Sequence, residues 1–199
     1  MNRQAIEEFY PESKQHLREW LQKNHLIKEA VWLIFYKKHT GKPSVAWTDA
    51  VDEALCFGWI DSKGETIDKD TFRQYFCKRK ATSTWSKINK QKIDTLTAKG
   101  LMAEAGFKVI EIAKQNGSWT ILDEAEELSI PVELEKAFEK FENSKDYFSS
   151  LSKSKKKVLL YWIALAKTET TRQKRILEIA ENASQKQQPK QFRPKEKGI

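Results

Sequence analysis

The chain has 199 residues, 39% apolar and 32% charged, and its 7 Trp, 10 Phe and 5 Tyr can fill a real core, which excludes a wholly disordered chain. Only 7 Gly and 5 Pro disfavour a turn-rich all-β fold, 2 Cys do not make a disulfide scaffold, and no apolar run approaches the ~18–20 residues of a membrane-spanning helix. The net charge of +8 is uneven: residues 1–150 carry 23 Lys/Arg against 24 Asp/Glu, and residues 151–199 carry 13 against 4.

The first residues are acidic where a secretory signal is apolar, which with two unpaired thiols predicts a cytoplasmic protein. A helix is expected over residues 12–24, capped by Ser13, with Leu17, Trp20 and Leu21 on one face. Residues 31–36 are apolar on both faces and read as a central strand. Thr48 is placed as the cap of a helix through Leu55, with Gly58 in the left-handed position beyond its end. Strands follow at residues 59–67 and 71–78, then helices at 84–99 and 103–116, each stopped by a glycine.

Residues 120–129 read as an acidic linker with some helix. Pro131 then opens a helix with Leu134, Ala137, Phe138 and Phe141 as its stripe. Ser152 or Ser154 caps a segment whose residues 158–166 are apolar all round, the pattern of a buried helix. Thr170 caps the last helix, with Ile176, Leu177, Ala180 and Ala183 facing inward. The expected fold is α+β: a small antiparallel sheet with packed helices in residues 1–120, a helical module over 130–185, and a disordered basic tail over 186–199.

His16, His25 and His39 lack ligand spacing, Cys56 and Cys77 form no Cys-x-x-Cys pair, and there is no nucleophile elbow, phosphate loop or dinucleotide fingerprint. No metal or cofactor is expected. One dense constellation stands out: Trp59 and Asp61, then Arg73, Tyr75 and Arg79, then Trp85 and Asn89. Aromatic walls with an Asp, two Arg and an Asn suit a polar-ligand pocket; the same residues also suit an ion-pair network locking helix to sheet. An enzyme with Asp61 as base and Arg73 and Arg79 as anion clamps is the alternative. Near the C-terminus, Lys155, Lys156 and Lys157 open one helix and Arg172, Lys174 and Arg175 another, where the helix dipole favours acids. These cations are candidates for an anionic partner, nucleic acid among them, or for the chain's own acidic stretch over residues 123–146.

At these residues the chain resembles the bacteriocin-protection family, also described as YdeI or OmpD-associated. The resemblance runs over most of the chain, strongest at residues 32–43, 54–61 and 79–89, and in the C-terminal module at Ser154, Trp162, Ile163, Ala166, Lys167 and residues 170–175. Ala81 departs from it, a proline being expected after the basic pair. The resemblance implies a stress factor protecting against envelope-directed toxins or cationic peptides, with a protein partner linked to the envelope or a porin. It implies no established reaction, cofactor or catalytic residue. The expected protein is therefore a non-enzymatic protection factor that binds a protein or a small polar ligand.

Overall fold

A computed structural model describes residues 6–193. The chain divides between Trp119 and Thr120 into two compact units.

The first unit is built on a mixed sheet. Strand β1 (Glu8–Phe9) runs parallel to β2 (Ala30–Tyr36), and β3 (Trp59–Thr66) and β4 (Thr71–Lys78) complete the order β1-β2-β4-β3, with β4 antiparallel to both neighbours. The antiparallel part lies where the sequence places it. The two-residue parallel strand does not, because two residues carry no alternation to read. Its Phe9 stacks on Trp20 at 5.3 Å, which seats the segment on the core.

Alternation along β2 sends Val31, Leu33 and Phe35 inward, each 2% exposed or less. Against that face lie α1 (Lys14–Asn24) and α2 (Trp47–Cys56). Ser13 caps α1, accepting the His16 N–H at 3.1 Å, and Leu17, Trp20 and Leu21 are the buried stripe. Thr48 is not the cap of α2: the helix begins a residue earlier, at Trp47, after Ala46. Glu53 on α2 is 1% exposed and accepts from Arg18 Nη1 at 2.8 Å, while Arg18 Nη2 donates to the Leu101 carbonyl at 2.7 Å.

Two further helices complete the unit, α3 (Lys87–Ala98) and α4 (Glu104–Gln115). The start of α3 is three residues later than expected. Ser86 caps it, accepting the N–H of Asn89 at 3.3 Å, while the Thr84 carbonyl accepts from Arg79. Helix α4 sits hard on the end of α2. A Cβ on Gly106 would meet the Cys56 carbonyl oxygen at 2.3 Å, so only glycine permits this approach. Gly58 takes φ +73°, turning the chain from α2 into β3.

The second unit is helical: α5 (Asp123–Glu126), α6 (Val132–Phe138), α7 (Ser144–Ser150), α8 (Lys153–Ala164) and α9 (Glu169–Ser184). Its core is Leu134, Phe138, Phe148, Leu159, Ile163 and Ile176 with their neighbours. Three expectations are corrected. Helix α8 is not buried all round: Val158 and, just past its end, Leu165 are more than 40% exposed, Leu159, Leu160 and Ile163 are buried, and Tyr161 and Trp162 pack half-buried against the core. The cap of α9 is Thr168, two residues before Thr170, and Ile179 rather than Leu177 completes its buried stripe. Residues 186–193 are not a disordered tail. Pro189 is buried, residues 190–192 form a 3₁₀ turn, and Phe192 meets the Trp162 ring edge-on at 5.4 Å. Two apolar residues in a polar stretch suffice to dock it; residues 194–199 lie outside the described part.

Candidate functional site

The residues of the constellation fall on two faces of the sheet. Cross-strand pairing sets Asp61 opposite Phe76 and Trp59 opposite Lys78, on the face that carries the core. Asp61 Oδ2 accepts from Trp47 Nε1 at 3.2 Å and from Gln74 Nε2 at 3.3 Å, so this carboxylate ties α2 to the sheet. Arg73 and Tyr75 point the opposite way. Arg73 donates to Glu65 Oε2 at 2.7 Å and 3.0 Å and also pairs with Glu8, and its guanidinium lies 4.4 Å over Trp32. Tyr75 meets the same Trp32 ring at 5.2 Å. The arrangement with Asp61 as base and both arginines as clamps is therefore not assembled: Asp61 and Arg73 lie across the sheet from each other, and each has its own partners.

Arg79, Trp59 and Trp85 do form a cluster at the end of the sheet. Arg79 follows β4 directly and its N–H donates to the Gly58 carbonyl at 2.9 Å, which draws the Gly58–Trp59 corner and the Arg79 backbone together. Its side chain is 7% exposed, donates from Nη1 to the Thr84 carbonyl at 2.7 Å, and lies 3.7 Å over the Trp85 ring. Trp85 is 1% exposed and tilts against Trp119 at 5.0 Å. Asn89 is half-buried on the first turn of α3, at i−4 from Ile93, with its backbone N–H given to Ser86. It is not joined to Asp61 by any hydrogen bond among the described residues.

Three donors of this cluster, Trp59 Nε1, Arg79 Nε and Trp85 Nε1, are buried without a hydrogen-bond partner. Native interiors leave few such groups, each costing about 1–3 kcal/mol. Burial also pulls the Arg79 guanidinium down to about 10, against the charges of Asp61 and Cys77 that push it up. It stays charged at neutral pH and carries no ion pair among the described residues. Trp59 and Arg79 line a cleft of about 200 Å³ whose other walls include Phe57, Lys78, and Val109 and Ile112 of α4.

The α4 wall was not foreseen in the sequence, although Gly106 inside a helical pattern is a signal of close backbone approach.

In the second unit, half of the six candidate cations are used within the unit. Lys157 pairs with Glu126 at 2.7 Å, Arg172 with Glu133 at 3.4 Å, and Arg175 donates to the Trp162 carbonyl while lying 5.2 Å over that ring. Lys155 and Lys174 are exposed, and Lys156 is half-buried. One basic charge at each helix start, Lys157 on α8 and Arg172 on α9, thus pairs with an acid of residues 123–146. Among the described residues no group of three His, Cys, Asp or Glu could hold a metal ion, and no helix is long and apolar enough to cross a membrane.

These features define an α+β protein with a buried aromatic–arginine cluster beside a small cleft, and a helical unit. Residues 9–109 match the family described as a domain of unknown function, DUF8412, and the chain belongs to that family. Residues 127–186 match the family described as bacteriocin-protection, YdeI or OmpD-associated. The stretches 32–43, 54–61 and 79–89 lie within the first of these matches. No curated protein and no solved structure matches the chain.

Proposed function

We propose that the protein is a non-enzymatic protection factor that acts in the cytoplasm and binds a small polar ligand through its first unit. The observation that carries this reading is the cluster of three buried, unpartnered donors around Arg79, two of them on residues lining a cleft. A guanidinium whose dehydration was met in folding, and which has no carboxylate bonded to it among the described residues, is favourable ground for an anionic ligand in the cleft it lines. The separation of Asp61 from Arg73 supports binding over catalysis. The likeness of residues 127–186 to the bacteriocin-protection family supports a protective role, and an envelope-linked or porin-linked protein partner for that unit.

The test is survival of a bacterial host challenged with a bacteriocin or cationic peptide. Expression of the wild-type chain raises survival, and the Arg79→Met variant, expressed to the same level, does not. Equal survival with and without the protein across such agents sinks the protective reading.

The nucleic-acid reading is less favoured, because Lys157, Arg172 and Arg175 already have partners in their own unit. Submicromolar duplex binding at physiological salt, falling with log salt at ~0.9 per phosphate neutralised, would restore it.

A further inference from the structure

We propose that the cleft between the Phe57–Trp59 corner and α4 binds a small amphipathic carboxylate: a short apolar body bearing one negative charge. This rests on the reading of the first unit as a ligand binder and names the class of ligand.

The charge at the cleft is of one sign. Arg79, Lys78 and Lys108 line it, with the His25 ring beside them, and no aspartate or glutamate among the described residues does. Lys78 is bridged outward to Glu29 at 2.7 Å, a residue itself largely in water. The rest of the lining is apolar. Phe57 is buried, Leu26 is 73% exposed and Ile112 is 38% exposed, so carbon surface stands open to water at the mouth. A volume of about 200 Å³ equals the space of about seven waters, enough for a small molecule and too little for a folded partner.

The charge of Arg79 selects the head group. Arg79 lines the cleft with a positive charge that no carboxylate hydrogen-bonds among the described residues, its Nη1 being committed to the Thr84 carbonyl. A carboxylate supplies one compensating negative charge. The charge of Asp61 acts on Arg79, but Asp61 makes no hydrogen bond or ion pair with it among the described residues, its Oδ2 accepting from Trp47 and Gln74. A cationic ligand meets the lysines, and a neutral one leaves the guanidinium uncompensated. The site is stiff: Gly58 and Gly106 hold α4 so close that a Cβ at either would strike backbone or side chain within 3.0 Å.

The test is isothermal titration of the full chain at pH 7 with 3-phenylpropionate and with its neutral amide. The acid should bind saturably at one site and at least tenfold more tightly than the amide. Arg79→Met should weaken the acid at least tenfold and leave the amide unchanged. Ala105→Leu narrows the cleft without touching Arg79, so it should weaken both and leave the melting curve cooperative. Equal affinity for acid and amide, or no effect of either variant, overturns the proposal, as does absence of saturable binding for both 3-phenylpropionate and octanoate. If the carboxylates fail while another small molecule binds the first unit, the ligand class falls and the binding reading stands. If no small molecule binds, both fall.

Discussion

The guanidinium carbon of Arg79 lies 3.7 Å from the centre of the Trp85 ring, so a buried cation is carried on an aromatic face instead of a carboxylate. A desolvated contact of this kind contributes about 2 kcal/mol. It accounts for how residues 79–85 fold back on themselves: Arg79 spans to the Thr84 carbonyl and to the ring that follows it. It also leaves a positive charge at the cleft floor that a ligand can neutralise.

Glu53 is buried and pairs with the part-buried Arg18 at 2.8 Å, a contact that holds α1 to α2. Glu53→Ala removes one partner and strands Arg18, so it should cost about 3 kcal/mol in chemical denaturation. The double variant Arg18→Met/Glu53→Leu should recover most of that loss. A single variant as stable as wild type would show that the pair is not coupled to the fold.

Gly106→Ala tests the approach of α4 to α2. The new Cβ has the Cys56 carbonyl oxygen 2.3 Å away, and backbone cannot swing aside as a side chain can. The expected loss is about 2 kcal/mol, read from the denaturation midpoint. Because α4 is a wall of the cleft, carboxylate affinity should fall with it. A neutral substitution would mean that the two helices are not locked.

How much of this was legible in the sequence depends on what each element offers to be read. Strands β2, β3 and β4 announce themselves through residues 31–36 and the alternation around Phe72 and Phe76, and they appear within a residue of the expected bounds. Strand β1 has two residues and no pattern. Helix α7 was missed because Phe148 is its one buried large side chain, too few for a period. Residues 84–99 read as one helix, yet Thr84 and Trp85 precede it: Ser86 caps α3, and the Arg79 side chain, just beyond the end of β4, donates to the Thr84 carbonyl. The candidate residues were found as a group in sequence, but strand parity assigned them to two faces, and a bulge between Asp61 and Gly64 makes parity unreadable along β3.

The segment after Gln185 should matter for stability. Truncation there removes Phe192 from Trp162 and the Arg193 bond to Asn182 Oδ1 at 2.7 Å. Phe192→Ala should lower stability by about 1 kcal/mol, half the value of a fully buried ring, and truncation by at least as much. An unchanged melting temperature in both would mean that the turn contributes nothing.

Asp68 gives a pH signature. Its Oδ1 accepts from the N–H groups of Asp70 and Thr71 at 2.8 and 2.7 Å and from the Thr71 hydroxyl at 2.9 Å, and these bonds, the Asp70 one foremost, hold its carboxyl below the usual range. A depressed carboxyl stabilises the fold above its unfolded value of about 3.9 and loses that contribution as pH falls through the folded value. Asp68→Ala should therefore melt lower than wild type at pH 7, and the gap should close as pH falls into and below that window. A gap that is the same at pH 7 and pH 2 would contradict this assignment.

Whether the first unit binds a small ligand at Arg79 is decided by a thermal-shift screen of the whole chain. The screen sets small anions, small cations, neutral metabolites, peptides and short oligonucleotides side by side. A ligand at a hundred times its dissociation constant adds about 2.7 kcal/mol, a shift well within detection. Small amphipathic anions should raise the melting temperature of the wild-type chain and not of Arg79→Met. Stabilisation by oligonucleotides alone, or equal shifts in wild type and variant, would contradict it.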